Sequence, residues 1–317
     1  MARYIAVGKE TTYGQDVAQT EYVDAIDDNL SADNGVISDQ SMGARGNQKP
    51  APGLFKTGRT FKVIVEPENI GLLLLALMGT DTPSTLETGV YKHVFTPGAA
   101  AQYLTLGGGT DVTGGQRTNP GFAVRKAKFS SSPGAKLLAE FDGFGKSLHV
   151  DALASPSFST KQPFHHVHSS AKIATVAKTY IKAMTIEVEN QYEEEDYTLG
   201  SRELRSAPLK GFLVKGTMDV LFDQLDTLKL FLGSTIAAAP LTTLTKQRLD
   251  LTFTHDILAG ATQYFQINFI MLETLFKVRK DSVNKRERMI ENLDWECFVP
   301  TAGTQFTIEL VNNVATY

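Results

Sequence analysis

Two landmarks recur at one spacing along the chain. The first half reads Phe61-Lys-Val-Ile-Val-Glu66, then a helical stretch, then Leu77-Met-Gly-Thr80. The second reads Met218-Asp-Val-Leu-Phe-Asp223, a helical stretch, then Phe231-Leu-Gly-Ser-Thr235. Gly79 and Gly233 lie 154 positions apart. So do Phe141 and Trp295, inside Ala139-Glu-Phe-Asp-Gly-Phe144 and Leu293-Asp-Trp-Glu-Cys-Phe298. One offset shared by separate landmarks predicts an internal duplication of a strand–helix–strands unit. A repeat of this length means two paired domains rather than a solenoid. Each half of the 317 residues is large enough to bury its own core. The expected division is a module over 1–151, a linker over 152–178 rich in Ser, Ala, Thr, Pro and His, and a second module over 179–317.

The patterning within each half has period two, the mark of half-buried strands. In Tyr180–Glu189, Ile181, Ala183, Thr185, Glu187 and Glu189 share one face, and Tyr180, Lys182, Met184, Ile186 and Val188 the other. Phe306, Ile308 and Leu310 alternate with polar residues, as do Leu293, Trp295 and Cys297. Further strands are predicted at Phe61–Val65, Lys92–Thr96, Phe122–Phe129, Lys136–Phe144, Phe212–Phe222, Arg248–Thr254 and Tyr264–Thr274. Two helices are predicted. One spans Glu66–Met78, with Pro67 near its start and Gly79 past its end; the other spans Asp223–Leu232, with Asp223 as N-cap and Gly233 after it. The fold class is therefore mainly β (α+β): two tandem β-sandwich or barrel modules, each with a flanking α-helix. Asn34–Lys56 and Gly107–Gly121 read as long irregular loops.

Several chemistries find little support. The apolar run Ile70–Met78 is far shorter than the roughly 20 residues that cross a bilayer as a helix. The start of the chain lacks the apolar region of a secretory signal. The single cysteine, Cys297, excludes an intramolecular disulfide, and a net charge of -4 gives no basis for whole-protein nucleic-acid binding. His165-His166-Val167-His168 concentrates imidazoles, and on a strand His166 and His168 would share a face. Without nearby cysteines or carboxylates it reads as a solvated linker rather than a metal site. Gly107–Gly115 lacks the Lys-Ser/Thr of a phosphate loop. His255-Asp256 and Glu296-Cys297 stand isolated, and Glu187 and Glu189 read as a solvated face, so no catalytic set, cofactor site or metal site is expected.

Two charge runs are the candidate contact residues. One is Glu193, Glu194, Glu195 and Asp196; the other holds Lys277, Arg279, Lys280, Lys285, Arg286 and Arg288 among two acids. Both read as exposed loop tips. Electrostatic complementarity between them across copies would fix a stacking register.

The order of motifs resembles the tail tube proteins of long-tailed phages. Gly8-Lys-Glu-Thr-Thr-Tyr-Gly14 resembles their opening, followed by the Ile70–Gly79 helix and Tyr91-Lys-His-Val-Phe-Thr-Pro97. Ile186-Glu-Val-Glu-Asn190, Tyr197-Thr-Leu-Gly-Ser-Arg202, Val220-Leu-Phe-Asp223 and the Ile308–Tyr317 end continue the same order, while Lys277–Arg288 has no counterpart. The resemblance implies a non-enzymatic virion protein made in the host cytoplasm. Its subunits would form rings, hexamers from single modules and trimers from duplicated ones, stacked head to tail around a tape measure protein. It also implies contact with tail terminator and tail-tip proteins, and unspecific passage of DNA through the lumen. The competing readings are another ring-forming virion component, such as a distal tail protein, or a β-sandwich binding module or hydrolase.

Overall fold

The computed structural model describes residues 4–39, 48–109, 115–222, 225–282 and 288–317. Strands β1 (Tyr4–Lys9), β2 (Glu21–Val23), β3 (Ala25–Asp33), β4 (Ile37–Asp39), β5 (Gln48–Ala51) and β6 (Lys56–Ile64) precede helix α1 (Gly71–Met78). Next come β7 (Gly79–Glu87), β8 (Val90–Pro97), β9 (Leu104–Gly109), β10 (Gln116–Ser131), β11 (Leu138–Gly145) and β12 (His149–Asp151). After a 3-10 turn at His166–His168 follow β13 (Ser169–Ile173), β14 (Val176–Ala177), β15 (Ile181–Tyr192), β16 (Leu209–Leu221) and helix α2 (Asp226–Leu232). The chain ends with β17 (Gln247–Leu258), β18 (Tyr264–Ser282), β19 (Ile290–Cys297) and β20 (Phe306–Asn312). The fold is mainly β, as the period-two pattern predicts.

The long strands β10 and β18 each serve two sheets. The first half of β10 pairs with β9 and β12, and its second half with β11. The first half of β18 pairs with β17 and β20, and its second half with β19. Both strands carry a register shift at the changeover, between Val124 and Lys126 and between Phe276 and Val278. A bulge bends a strand and sharpens its twist, which lets one strand cross between sheets. From β10 the ladders continue to β1 and β2 on one sheet and to β6 and β3 on the other. From β18 they continue to β13 and β14, and to β16 and β15, in the same order.

Two antiparallel ladders join the halves. The second half of β10 pairs with β15, from Lys126↔Glu189 to Ser131↔Met184. The β7–β8 hairpin adds β8 to β20, with Ile308 opposite Phe95. One sheet thus runs continuously in the order β3–β6–β11–β10–β15–β16–β19–β18.

Alternation along these strands builds the core. In β15, Met184, Ile186 and Val188 are buried, while Thr185, Glu187 and Glu189 lie on the other face. All eight residues of α1 are buried, which fits a helix with no polar face. Its C-cap, Gly79, takes φ 89°, a left-handed conformation that suits glycine. Trp295 packs flat on its cross-strand neighbour: a Cβ on Gly216 would lie 2.4 Å from the indole Cζ2. Phe61 stacks on Phe141 at 5.5 Å, and Phe129 meets Phe269 at 4.9 Å.

Four expectations differ from the structure. The expected loop Gly107–Gly121 is largely strand: Gly107–Gly109 end the buried β9, whose neighbours fill the space that the glycines leave, Gln116–Gly121 open β10, and 110–114 lie outside the described residues. A Cβ on Gly107, Gly108 or Gly109 would lie 2.3 Å or less from Gln116, Arg59 or Tyr4. The Asn34–Lys56 stretch carries the paired strands β4 and β5. The 152–178 segment is only partly a connection, since β13 and β14 are ladder strands too short to show a period. The helices start later than predicted, at Gly71 and Asp226. The N-cap expected at Asp223 lies outside the described residues, and Leu225 holds the cap position.

Candidate assembly interface

The continuous sheet ends on two edges. β3 pairs only with β6, and beyond Phe276 the second half of β18 pairs only with β19, among the described residues. Each edge exposes a row of backbone N–H and C=O groups able to pair with another chain. Inside the chain, the edge of β10 that corresponds to the free edge of β18 is occupied by β15.

The solvated face of this sheet interleaves opposite charges. Glu187 takes Lys126 at 3.0 Å and Lys215 at 3.1 Å, and Lys215 also reaches Glu189 at 3.4 Å. Partial burial pushes the Glu187 carboxyl up, but the two lysines outweigh it and hold the group below its ordinary range. The hydrogen bond that Lys215 donates to Glu187 leads the causes that raise the Lys215 ammonium. Arg125 binds Asp142 at 2.6 Å and Glu194 at 3.3 Å. These residues border an open groove of about 570 Å³ between β3, β6 and the acidic run, lined by Thr60, Asp142, Glu194 and Glu195.

Lys277 and Arg279 of the basic run find their ion-pair partners outside the acidic run. The acidic run is largely paired locally: Glu193 with Lys210, Glu194 with Arg125, and Asp196 with Arg205 and the Ser206 hydroxyl. The Ser206 hydrogen bond holds Asp196 below its usual range, helped by Arg205. The basic run is not a loop tip at its start, because Lys277, Arg279 and Lys280 belong to β18. Lys277 pairs with Glu296. Arg279 reaches Asp281 and the buried Glu291, both at 2.7 Å, and its guanidinium lies 5.8 Å from the centre of the Phe222 ring. Lys280 is exposed and has no ion pair among the described residues. Arg288 precedes β19, and Lys285 and Arg286 lie outside the described residues.

Sequence reasoning missed the edge of β3. Its outward residues include Asp27, Asn29 and Asp33, all exposed. The signal was a run of acids in Asp24–Asp33, broken by Ala, Ile, Asn, Leu and Ser. It also missed a histidine group. His165–His168 is a 3-10 turn rather than a strand, so His165 stacks on His168 at 3.7 Å between ring centres. His255-Asp256 is not isolated: the His255 ring lies 4.3 Å from that of His168.

No helix is long and apolar enough to cross a membrane among the described residues. No curated protein matches the chain. Residues 2–297 match the family model described as phage tail tube protein. With nearly its whole length matched, the chain belongs to the phage tail tube protein family, and is a structural, self-assembling component of a virion tail.

Proposed function

We propose that the chain is a duplicated tail tube subunit, and that three copies close head to tail into a ring whose continuous sheet lines the tube. The observation that carries this reading is the pairing of β10 with β15 beside an equivalent, open edge on β18. On this reading residues 1–151 and 179–317 are the two modules. The six modules of three chains then supply the sixfold arrangement that the resemblance implies for single-module subunits.

The internal pairing predicts the external register. Ser130 faces Leu138 across β11, and Lys280 faces Asn292 across β19. Leu138 and Asn292 are 154 apart, so Lys280 takes the place of Ser130. By the same match, Asp27, opposite Lys62, takes the place of Thr185, opposite Thr217. Since Ser130 faces Thr185 within the chain, Lys280 of one copy faces Asp27 of the next. A cation and a carboxylate that each have no ion pair among the described residues thus meet, and the contact is with β3 rather than with Glu193–Asp196. Val278 takes the place of Lys128 and faces Asn29.

Ring closure removes both open edges. The two faces of a ring differ, so heterologous stacking continues into an open tube. The solvated face of the sheet becomes the lumen. There, cations held by neighbouring carboxylates offer passing DNA little net phosphate binding. The tape measure protein occupies this lumen before DNA, and tail terminator and tail-tip proteins close the ends.

Negative-stain microscopy and light scattering of the purified chain test the assembly, with rings expected at three times 34.6 kDa. Oxidation of the Lys280→Cys/Asp27→Cys variant tests the register, since opposed strand residues lie within disulfide reach. Cross-linked trimers are expected, and Lys280→Cys/Asn29→Cys should link poorly. Tubes without cross-links refute the register alone. A wild-type chain that forms neither rings nor tubes in the presence of tail-end partners refutes the function.

A further inference from the structure

We propose that His168, His255 and Asp256 form a binding site for a divalent transition-metal ion that ties the segment joining the two halves to β17. His168 closes the 3-10 turn before β13, while His255 and Asp256 come from β17, 87 positions further along the chain. Two features bring them together. β13 pairs with β17, with Ser169 opposite Phe253, which fixes the turn over this part of the strand. The ladder between β17 and β18 then shifts register between Thr254 and Leu258, freeing residues 255–257 from regular alternation. A bulge of this kind re-aims side chains, and here it brings an imidazole and the adjacent carboxylate to one place.

The donor geometry fits a small cation. The Asp256 Oδ1 lies 2.8 Å from His255 Nδ1 and 3.5 Å from His168 Nε2. A tetrahedral ion with bonds of about 2.0–2.1 Å separates its ligand atoms by about 3.3 Å, between the two observed spacings. Two imidazoles and one carboxylate suit zinc, cobalt or nickel rather than calcium or magnesium. Three protein donors leave a further coordination position for water.

The hydrogen bonding around His255 also points to a cation. Its Nδ1 accepts the Ile257 N–H at 2.9 Å, so the nitrogen uses its lone pair as an acceptor. The Asp256 carboxylate facing the same nitrogen at 2.8 Å is an acceptor as well. A proton or a metal ion on Nδ1 would each satisfy Asp256, and each would require the Ile257 N–H to turn away. A metal ion satisfies the carboxylate and both imidazoles together, and the exposed bulge lets the Ile257 N–H turn to water. His255 is 2% exposed, and its Nε2 has no hydrogen-bond partner, so the ring is already desolvated. Burial lowers the proton affinity of both His168 and His255, and the neighbouring His165 adds to the effect. His165, stacked on His168, supplies a third imidazole to the wall of the site.

Titration of tag-free, chelator-treated full chain with Zn²⁺ by calorimetry tests the site. One ion per chain is expected, with a rise in Tm. Asp256→Asn and His168→Ala should each weaken binding about tenfold or more. Asp256 is exposed, so its substitution leaves the core intact even if His255→Ala fails to fold. Asp151→Asn, in the separate exposed group of Asp16, His149 and Asp151, should leave the affinity unchanged. Absence of stoichiometric binding, equal affinity in Asp256→Asn and His168→Ala, or loss of binding in Asp151→Asn would each overturn the assignment.

Discussion

Asp28→Asn should cost far more stability than Arg59→Met, although both break the pair between Arg59 and Asp28. The Arg59 side chain is fully buried and donates twice to Asp28, from Nε at 2.7 Å and Nη2 at 2.9 Å, and once to the Leu106 carbonyl at 3.3 Å. Asp28 is 17% exposed and also holds Arg117 at 2.8 Å. Replacing the carboxylate leaves a guanidinium in the core with no counter-charge, a cost of about 3–5 kcal/mol. Replacing Arg59 by methionine removes the buried charge itself, keeps most of the volume and leaves Asp28 with Arg117. About 1–2 kcal/mol is expected, because buried pairs exchanged for well-packed apolar groups are often nearly neutral. The matching position in the second half supports this, since Val214 lies there, opposite Cys297 as Arg59 lies opposite Gly143. The double variant should cost no more than Arg59→Met, giving a coupling energy of about 3–5 kcal/mol. Urea unfolding of unassembled chain, read by circular dichroism and by the fluorescence of the buried Trp295, measures all three. Costs for the two single variants within about 1 kcal/mol of each other, or negligible coupling, would refute the reasoning.

Other positions give sharp tests. Burial lifts the Glu21 carboxyl from 4.5 to about 8, against the opposing hydrogen bond from the Leu72 N–H. The folded chain keeps a proton that the unfolded chain releases, so this contribution is complete below pH 4.5 and falls by about 1.4 kcal/mol per pH unit up to about pH 8. Glu66, lifted to about 7 mainly by burial, acts in the same sense. Glu21→Gln should flatten most of the resulting slope in urea midpoints, and an unchanged slope counts against a buried acid. Asn190 donates to the Leu77 and Val124 carbonyls at 2.8 and 3.0 Å where β15 meets β10 and the end of α1. Asn190→Ala should cost about 2–4 kcal/mol by leaving both acceptors unmet, and a loss below about 0.5 kcal/mol would contradict that role. A Cβ on Gly71 would lie 1.9 Å from the Tyr317 ring, so Gly71→Ala should destabilise by about 1–3 kcal/mol. In a Tyr317→Ala background it should become neutral or stabilising by up to about 1 kcal/mol, through helix propensity. An equal cost in both backgrounds would exclude Tyr317 as the cause.

Strands with one wet face were legible, because burial writes a period of two into residues such as Met184, Ile186 and Val188. The two helices were legible as apolar runs closed by glycine, although their starts were not, since no side chain caps either N-terminus. β9 was hidden because its glycines carry no pattern of their own; the side chains of Tyr4, Arg59 and Gln116 occupy their space. The histidine group was half legible. His165–His168 stands out in sequence, but its carboxylate lies 88 residues beyond His168 and arrives through a bulge that period-two reasoning cannot place. Charge runs were legible and their geometry was not. Four consecutive acids suggest a contact, yet nearby cations already hold three of them, whereas Asp27, the partner proposed for Lys280, sits in a broken run and attracts no notice singly.

The two open edges explain why a chain this rich in unpaired strand can avoid wrong partners. β3 turns a charged residue inward at Asp28, and this residue is satisfied only when Arg59 and Arg117 meet it in register. A one-residue slip of β3 on β6 would bury Asp27 or Asn29 against Arg59 and send the inward set to water. Inward-pointing charges of this kind protect an edge from indiscriminate pairing. The β18 edge is guarded differently, by the bulge between Phe276 and Val278 and by Lys277 and Lys280 on its exposed stretch. Two such strands repel their own kind: β3 against β3 opposes acids, and β18 against β18 opposes lysines. Only the heterologous pair brings Lys280 to Asp27. On the proposed reading, the charges on the two edges favour head-to-tail closure into a ring over two-fold dimerisation.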